Sequence, residues 1–194
     1  MKRDKTLADR IANLSSEKRA LLESRLKQNN SAKIQVQLTM PRRQNQAPAP
    51  LSFAQQRLWF LDQLEPESSF YNVPHTVRLQ GALNVEALRE ALNTIVDRHE
   101  ILRTTISVVD GNPIQVISEN SEASLSVVDL SETPEPQRQN KAHSSLRIEI
   151  QRPFDLSRDL MLRATLLKLD RADHILLLIT HHIASDGWST GILW

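Results

Sequence analysis

Ile175-Leu176-Leu177-Leu178-Ile179 runs straight into Thr180-His181-His182-Ile183-Ala184-Ser185-Asp186-Gly187-Trp188-Ser189, and the fold is read outward from that junction. The first five residues are apolar throughout, as expected of a strand covered on both faces at the centre of a sheet. Polar residues then follow abruptly, at the point where a strand leaves its sheet and where ligands and catalytic groups often collect. Successive strand residues face opposite ways, so His181 and His182 cannot both point into one cleft. One is expected to be structural and the other functional. Three readings of the stretch stay open on these residues alone. A metal could use His182 and Asp186, spaced by four, but Gly187 and the preceding strand argue against a helix there, and a third ligand would have to come from elsewhere. The histidines could be a structural pair satisfied by backbone groups. Or one could be an acid/base group beside a carboxylate, since an imidazole pKa of ~6.5 suits proton transfer near neutrality.

The neighbouring segments supply the rest of a sheet. Met161–Leu169 is expected to pair with Ile175–His181 across a loop at 170–173. In 72–80, Val73, His75, Val77 and Leu79 alternate onto one face of a further strand. Asp110-Gly111 is a hairpin signal between strands near 102–109 and 113–118, and a short strand is expected near 125–129. Three helices separate these strands. Ser52-Phe53-Ala54-Gln55 is a capping box opening a helix over 53–64. Asn84 caps a second, running to about Arg98, with Val85, Leu88, Leu92, Ile95 and Val96 inward. The polar stretch 135–150 is the third. Helices interleaved with strands in a mixed sheet give an α/β (α+β) domain.

Upstream of this body, residues 1–30 read as a helical segment, with Leu7, Ile11 and Leu14, then Leu22 and Leu26, at helical spacing. It could pack on the main domain or dock another protein. Residues 31–50 are a Pro/Gln-rich linker, and the folded body 51–194 is expected to begin at Leu51. Residues 1–45 hold 11 Lys/Arg against 4 Asp/Glu, whereas 46–194 hold 13 against 19. No aromatic residue interleaves with the basic charges, so a solvated or protein-docking segment is favoured over nucleic-acid binding. The chain has no cysteine, which excludes disulfides and a thiol nucleophile. Its four glycines form no phosphate-binding loop, and there is no Gly-x-Ser-x-Gly elbow. No apolar run approaches a membrane span, and the charged N-terminus lacks the apolar core of a signal peptide; a cytoplasmic protein is expected.

His181-His182-Ile183-Ala184-Ser185-Asp186-Gly187 resembles the His-His-x-x-x-Asp-Gly motif of condensation domains from nonribosomal peptide synthetases, relatives of chloramphenicol acetyltransferase. Three further blocks resemble that family in the same order: Ser52 to Leu61, Arg98-His99-Glu100-Ile101-Leu102-Arg103-Thr104, and Pro153-Phe154-Asp155-Leu156 with Leu162-Arg163-Ala164. The resemblance covers about 48–194. Trp188-Ser189 and Glu100 resemble the subtype that joins two L-configured residues. The synthetase-like blocks speak against a coenzyme A-dependent acetyltransferase.

The resemblance implies a chloramphenicol acetyltransferase-like half-domain, an N-terminal lobe whose C-terminal lobe is not in this chain. The implied reaction is amide formation between a thioester donor and an amine acceptor, each on the phosphopantetheine arm of a carrier domain. It needs no enzyme nucleophile, no metal and no cofactor held by the domain. His182 is the implied catalytic group, as general base or as a positioning partner, and the Gly187 N–H is a candidate oxyanion donor. His181 is implied to be structural, and Asp186 to be structural through a pair with Arg163. Upstream and downstream carrier domains and the missing lobe are the implied partners, with no nucleic acid or membrane. Without that lobe the chain is expected to be a docking fragment or a split half rather than an enzyme alone.

Overall fold

The computed structural model of the chain describes residues 47–119 and 121–193, the side chain of Leu193 excepted. The expected helices within 1–30, and the 31–50 linker up to residue 46, lie outside the described residues. What is described belongs to a compact unit spanning Asn45–Trp194.

Strand β1 (Ala49–Pro50) leads into helix α1 (Phe53–Leu64), then β2 (Asn72–Gln80), α2 (Val85–Arg98), a 3-10 turn (Glu100–Arg103), β3 (Thr104–Val109), β4 (Asn112–Ile117) and β5 (Leu125–Asp129). Helix α3 (Gln137–Gln151), β6 (Leu162–Asp170), β7 (Asp173–His181) and the short α4 (Thr190–Leu193) complete the chain. The caps expected at Ser52 and Asn84 form: Ser52 Oγ accepts from the Gln55 N–H while Gln55 Oε1 accepts from the Ser52 N–H, and Asn84 Oδ1 accepts from the Ala87 N–H. The hairpin turn places Asp110 and Gly111 at φ 49° and 78°, the left-handed region that Asp-Gly pairs supply.

The strands form a four-stranded sheet in the order β2-β7-β6-β5 and a three-stranded antiparallel sheet β1-β4-β3. The larger sheet is mixed. β2, β7 and β6 are antiparallel neighbours, while β5 runs parallel to β6 after the α3 crossover. β7 therefore lies at the interior of the sheet, as its apolar run requires, with Leu177 and Ile179 almost wholly buried. The second sheet differs from the expected single one. Its edge strand β1 falls inside the expected linker, and Pro50, which cannot donate to a ladder, is tolerated at an edge. The expected strand at 102–109 starts only at Thr104, because Leu102 and Arg103 complete the 3-10 turn.

Alternation along β6 and β7 builds two cores. Leu162, Ala164 and Leu166 with Leu176 and Leu178 meet Leu92 and Val96 of α2 on one face. On the other face Leu177 and Ile179 meet Phe154, Met161 and Ile106, with Trp59 of α1 and Ile150 of α3 packed alongside. Ala142 of α3 covers Leu167 on that same side. Among the described residues no helix is long and apolar enough to cross a membrane.

Candidate active site

The last residue of β7 and the turn after it carry the histidine motif. His181 points to the α3 face and is only 4% exposed. Its Nδ1 accepts a hydrogen bond from the Ile183 N–H at 3.2 Å. Its ring lies edge-on to Tyr71 and Phe154, with centroids 6.2 and 5.7 Å away. Burial, then the neighbouring charges of His182 and Arg163, push its pKa down to about 4. His181 is thus a neutral imidazole whose Nδ1 lone pair fixes the turn.

His182 is exposed at the sheet end. Its backbone N–H donates to Tyr71 O at 2.9 Å, one step past the Asn72↔His181 pair of the β2–β7 ladder. The imidazole stands clear of the core while its backbone is pinned by the edge strand. The two imidazoles face opposite ways, as alternation requires, one buried and the other exposed.

The turn is held from within. Thr180 Oγ1 and Ser185 Oγ share a hydrogen bond of 2.6 Å. The Asp186 carboxylate accepts from the Ser189 N–H at 2.8 Å, the Trp188 N–H at 3.1 Å and Ser189 Oγ at 2.9 Å. Those bonds, led by the two from Ser189, hold its pKa below the usual carboxylate range. Gly187 is exposed, has no positive φ, and a Cβ built on it would meet open space. No protein atom near it therefore calls for glycine.

Arg163 departs from the expected pairing. It is 6% exposed on β6, yet among the described residues it makes no ion pair with Asp186. Its Nη1 donates to Pro153 O at 2.9 Å and its Nη2 to Arg152 O at 2.6 Å, while the guanidinium lies 3.8 Å from the centroid of the Phe154 ring. The physical reason is where each side chain points. Arg163 faces the C-terminal end of α3, where unpaired carbonyls attract a cation. Asp186 is committed to capping the turn beyond β7. Burial lowers the Arg163 pKa to about 10, so the cation persists at neutral pH.

Asn72 adds to the same arrangement and was not singled out from sequence. Its Nδ2 donates to Ile150 O at 2.7 Å and Arg152 O at 2.9 Å. Asn72 and Arg163 together cap α3 and seat Phe154 against His181. Tyr71 was missed too, because its role appears only once β2 is set in register with β7.

Cavities flank the strand end. One of about 270 Å³ lies beside His181, walled by Leu61, Asp62, Glu65 and Tyr71. A larger cleft of about 580 Å³, between Trp59, Asp62, Ser107, Asp155 and Asp159, contains no residue of the 181–187 motif. Desolvation raises the Asp62 carboxyl that borders both. Among the described residues no group of three or more His, Cys, Asp or Glu could hold a metal ion.

A family model described as Condensation domain matches residues 45–194. A linear gramicidin synthase of Brevibacillus parabrevis is 47% identical over 147 residues, which is 76% of this chain and 3% of that protein. Phosphinothricin tripeptide synthetase PhsC of Streptomyces viridochromogenes is 44% identical over 188 residues, 96% of this chain and 17% of that protein. The chain thus spans only a small part of the length of these two relatives. Among solved structures, the starter condensation domain of rhizomide synthetase superposes with a TM-score of 0.69 at 27% identity, covering 75% of this chain and 35% of that one.

Proposed function

The chain belongs to the condensation-domain family, and from that premise we propose that it contributes the motif-bearing wall of a site that joins two carrier-bound substrates through an amide bond. The donor is an acyl or peptidyl thioester, the acceptor an aminoacyl group with a free α-amine, each on a phosphopantetheine arm of a carrier domain. Both carriers are proposed partners, and the cytoplasm is the proposed compartment.

The exposed imidazole of His182, on a backbone pinned to Tyr71 O at 2.9 Å, is the observation that carries this reading. It gives the attacking amine an accessible nitrogen to meet. The amine lone pair forms the new C–N bond at the thioester carbonyl, and the C–S bond breaks with its electron pair leaving on sulfur. The proton lost from the amine passes to His182 and on to the departing thiolate. The Gly187 N–H, with open space around its Cα, is assigned to the oxyanion that forms at the carbonyl. Holding both thioesters in one site makes the attack effectively unimolecular, so no enzyme nucleophile is required. His181 stays neutral and buried, Asp186 shapes the turn, and Arg163 supports it from behind; none of the three is given a chemical step.

The test is dipeptide formation between two loaded carrier domains, read by mass spectrometry of the carrier-bound product. This chain is assayed together with the portion of a condensation domain that it does not span. His182→Ala is expected to lower transfer by roughly 10²- to 10⁴-fold with an unchanged melting curve. Full transfer by the His182→Ala chain overturns the assignment.

A further inference from the structure

His182 lies one step beyond the β2–β7 ladder, which ends at the Asn72↔His181 pair. Its imidazole is exposed and takes its place from the backbone beneath it. On the β2 side that backbone is held by the bond from the His182 N–H to Tyr71 O at 2.9 Å. The last rung of a ladder frays unless the strand that accepts it is itself tied down. Upstream of β2 the chain is tied locally, Ser68 N–H to Glu65 O and Phe70 N–H to Ser68 Oγ. A tie to a third element comes from the side chain of Asn72, whose Nδ2 donates to Ile150 O at 2.7 Å and to Arg152 O at 2.9 Å at the end of α3. That end is fixed in turn to β6, because Arg163 Nη2 donates to the same Arg152 O at 2.6 Å.

The Tyr71–Asn72 peptide transmits the anchor. It is trans and planar, so its carbonyl and its N–H point opposite ways. The carbonyl accepts from the His182 N–H, and the N–H donates to Ser69 O at 3.0 Å. A rotation of this plane moves the His182 backbone with it, and the Asn72 Cα at its edge is clamped to α3. We propose, on the catalytic role already given to His182, that Asn72 is a positioning residue for the amide-forming reaction, acting through the Tyr71 carbonyl to fix the place of the His182 imidazole. A carboxamide suits the position because its one nitrogen offers two N–H donors to two carbonyls. A carboxylate there would offer none, and a hydroxyl one. A displacement of a reacting group by about 1 Å is enough to cost roughly a hundredfold in rate.

Two readouts test this. In the full chain, amide hydrogen exchange resolved by NMR is expected to quicken about fivefold or more at His182 in Asn72→Ala, with Leu177 and Leu178 unchanged. In the transfer assay, Asn72→Ala is expected to lower kcat by about ten- to a hundredfold, with KM for both loaded carriers unchanged. On the His182→Ala background the same substitution is expected to lower the residual rate no further, since the group it positions is gone. Asn72→Ser, which keeps one donor, is expected to fall between the native chain and Asn72→Ala in both readouts, and replaces the latter should it misfold. An equal fall on both backgrounds marks a merely structural role and overturns the inference, as does an unchanged His182 amide. Native transfer by Asn72→Ala, with His182→Ala still defective, overturns the inference and leaves the catalytic reading standing. Full transfer by His182→Ala overturns that reading and the inference with it.

Discussion

Burial, His182 and Arg163 together hold the His181 pKa at about 4, well under the ~6.5 expected in the unfolded chain. The folded state therefore binds this proton less readily than the unfolded one. The associated stability is present above pH ~6.5 and is lost as pH falls toward the folded value, by about 3 kcal/mol. Urea midpoints measured from pH 7.5 to 4.5 are expected to fall more steeply for the native chain than for His181→Asn. Arg163 and Asp186 make a second residue-level prediction. With separate partners their effects should add: Asp186→Ala lowers stability slightly as a lost cap, Arg163→Met costs about 2–4 kcal/mol as a lost buried hydrogen-bonding cation, and the double variant gives their sum within ~0.5 kcal/mol. A coupling above that in the denaturation cycle would restore the pairing expected from sequence. That expectation failed because Arg163's partners are backbone carbonyls, which every residue carries and no motif can mark.

Strand β7 and helix α3 carry the element-level energetics. Leu177 is fully buried at the interior of the sheet, so Leu177→Ala is expected to cost about 2–5 kcal/mol in urea unfolding. Asn72→Ala removes two bonds to the C-terminal carbonyls of α3, at about 1–2 kcal/mol. Its loss should appear first as faster amide exchange in 147–152, before any change in the β6–β7 hairpin. These elements were largely legible in advance. The bounds of α1 and β2, the start of α2 and the hairpin turn followed from a capping box, strict alternation, an Asn cap and an Asp-Gly pair, each a local signal. The split into two sheets was not legible, since it depends on β1 pairing with β4 more than sixty residues away. The start of β3 was misplaced because a 3-10 turn and a strand both accept Leu102 and Arg103.

At the scale of the whole molecule, one face of α1 exposes apolar side chains among polar ones. Phe53, Phe60 and Leu64 fall on one side of α1 and are 92%, 57% and 63% exposed. Side chains so exposed add little to folding, while exposed aromatic and aliphatic groups promote association. Replacing all three with serine is expected to leave the unfolding free energy within ~0.5 kcal/mol and to lower both fluorescent-dye binding and sedimentation-detected self-association. An unchanged association profile would show that another surface is responsible. The charge asymmetry, basic in 1–45 and acidic beyond, is a property of the whole chain that sequence states outright. The β2–β7 register has a further consequence for recombining such chains. Asn72 faces His181, and Tyr71 O holds the His182 N–H, so the stretch from Asp173 to His181 acts as a ruler. One residue gained or lost within it would turn His182 inward and leave His181 in water; two would restore the facing but displace the imidazole by about 6.6 Å along the strand. Chimeras spliced inside this segment should tolerate sequence exchange but not length change, and viable crossover points belong in the 170–173 turn or earlier.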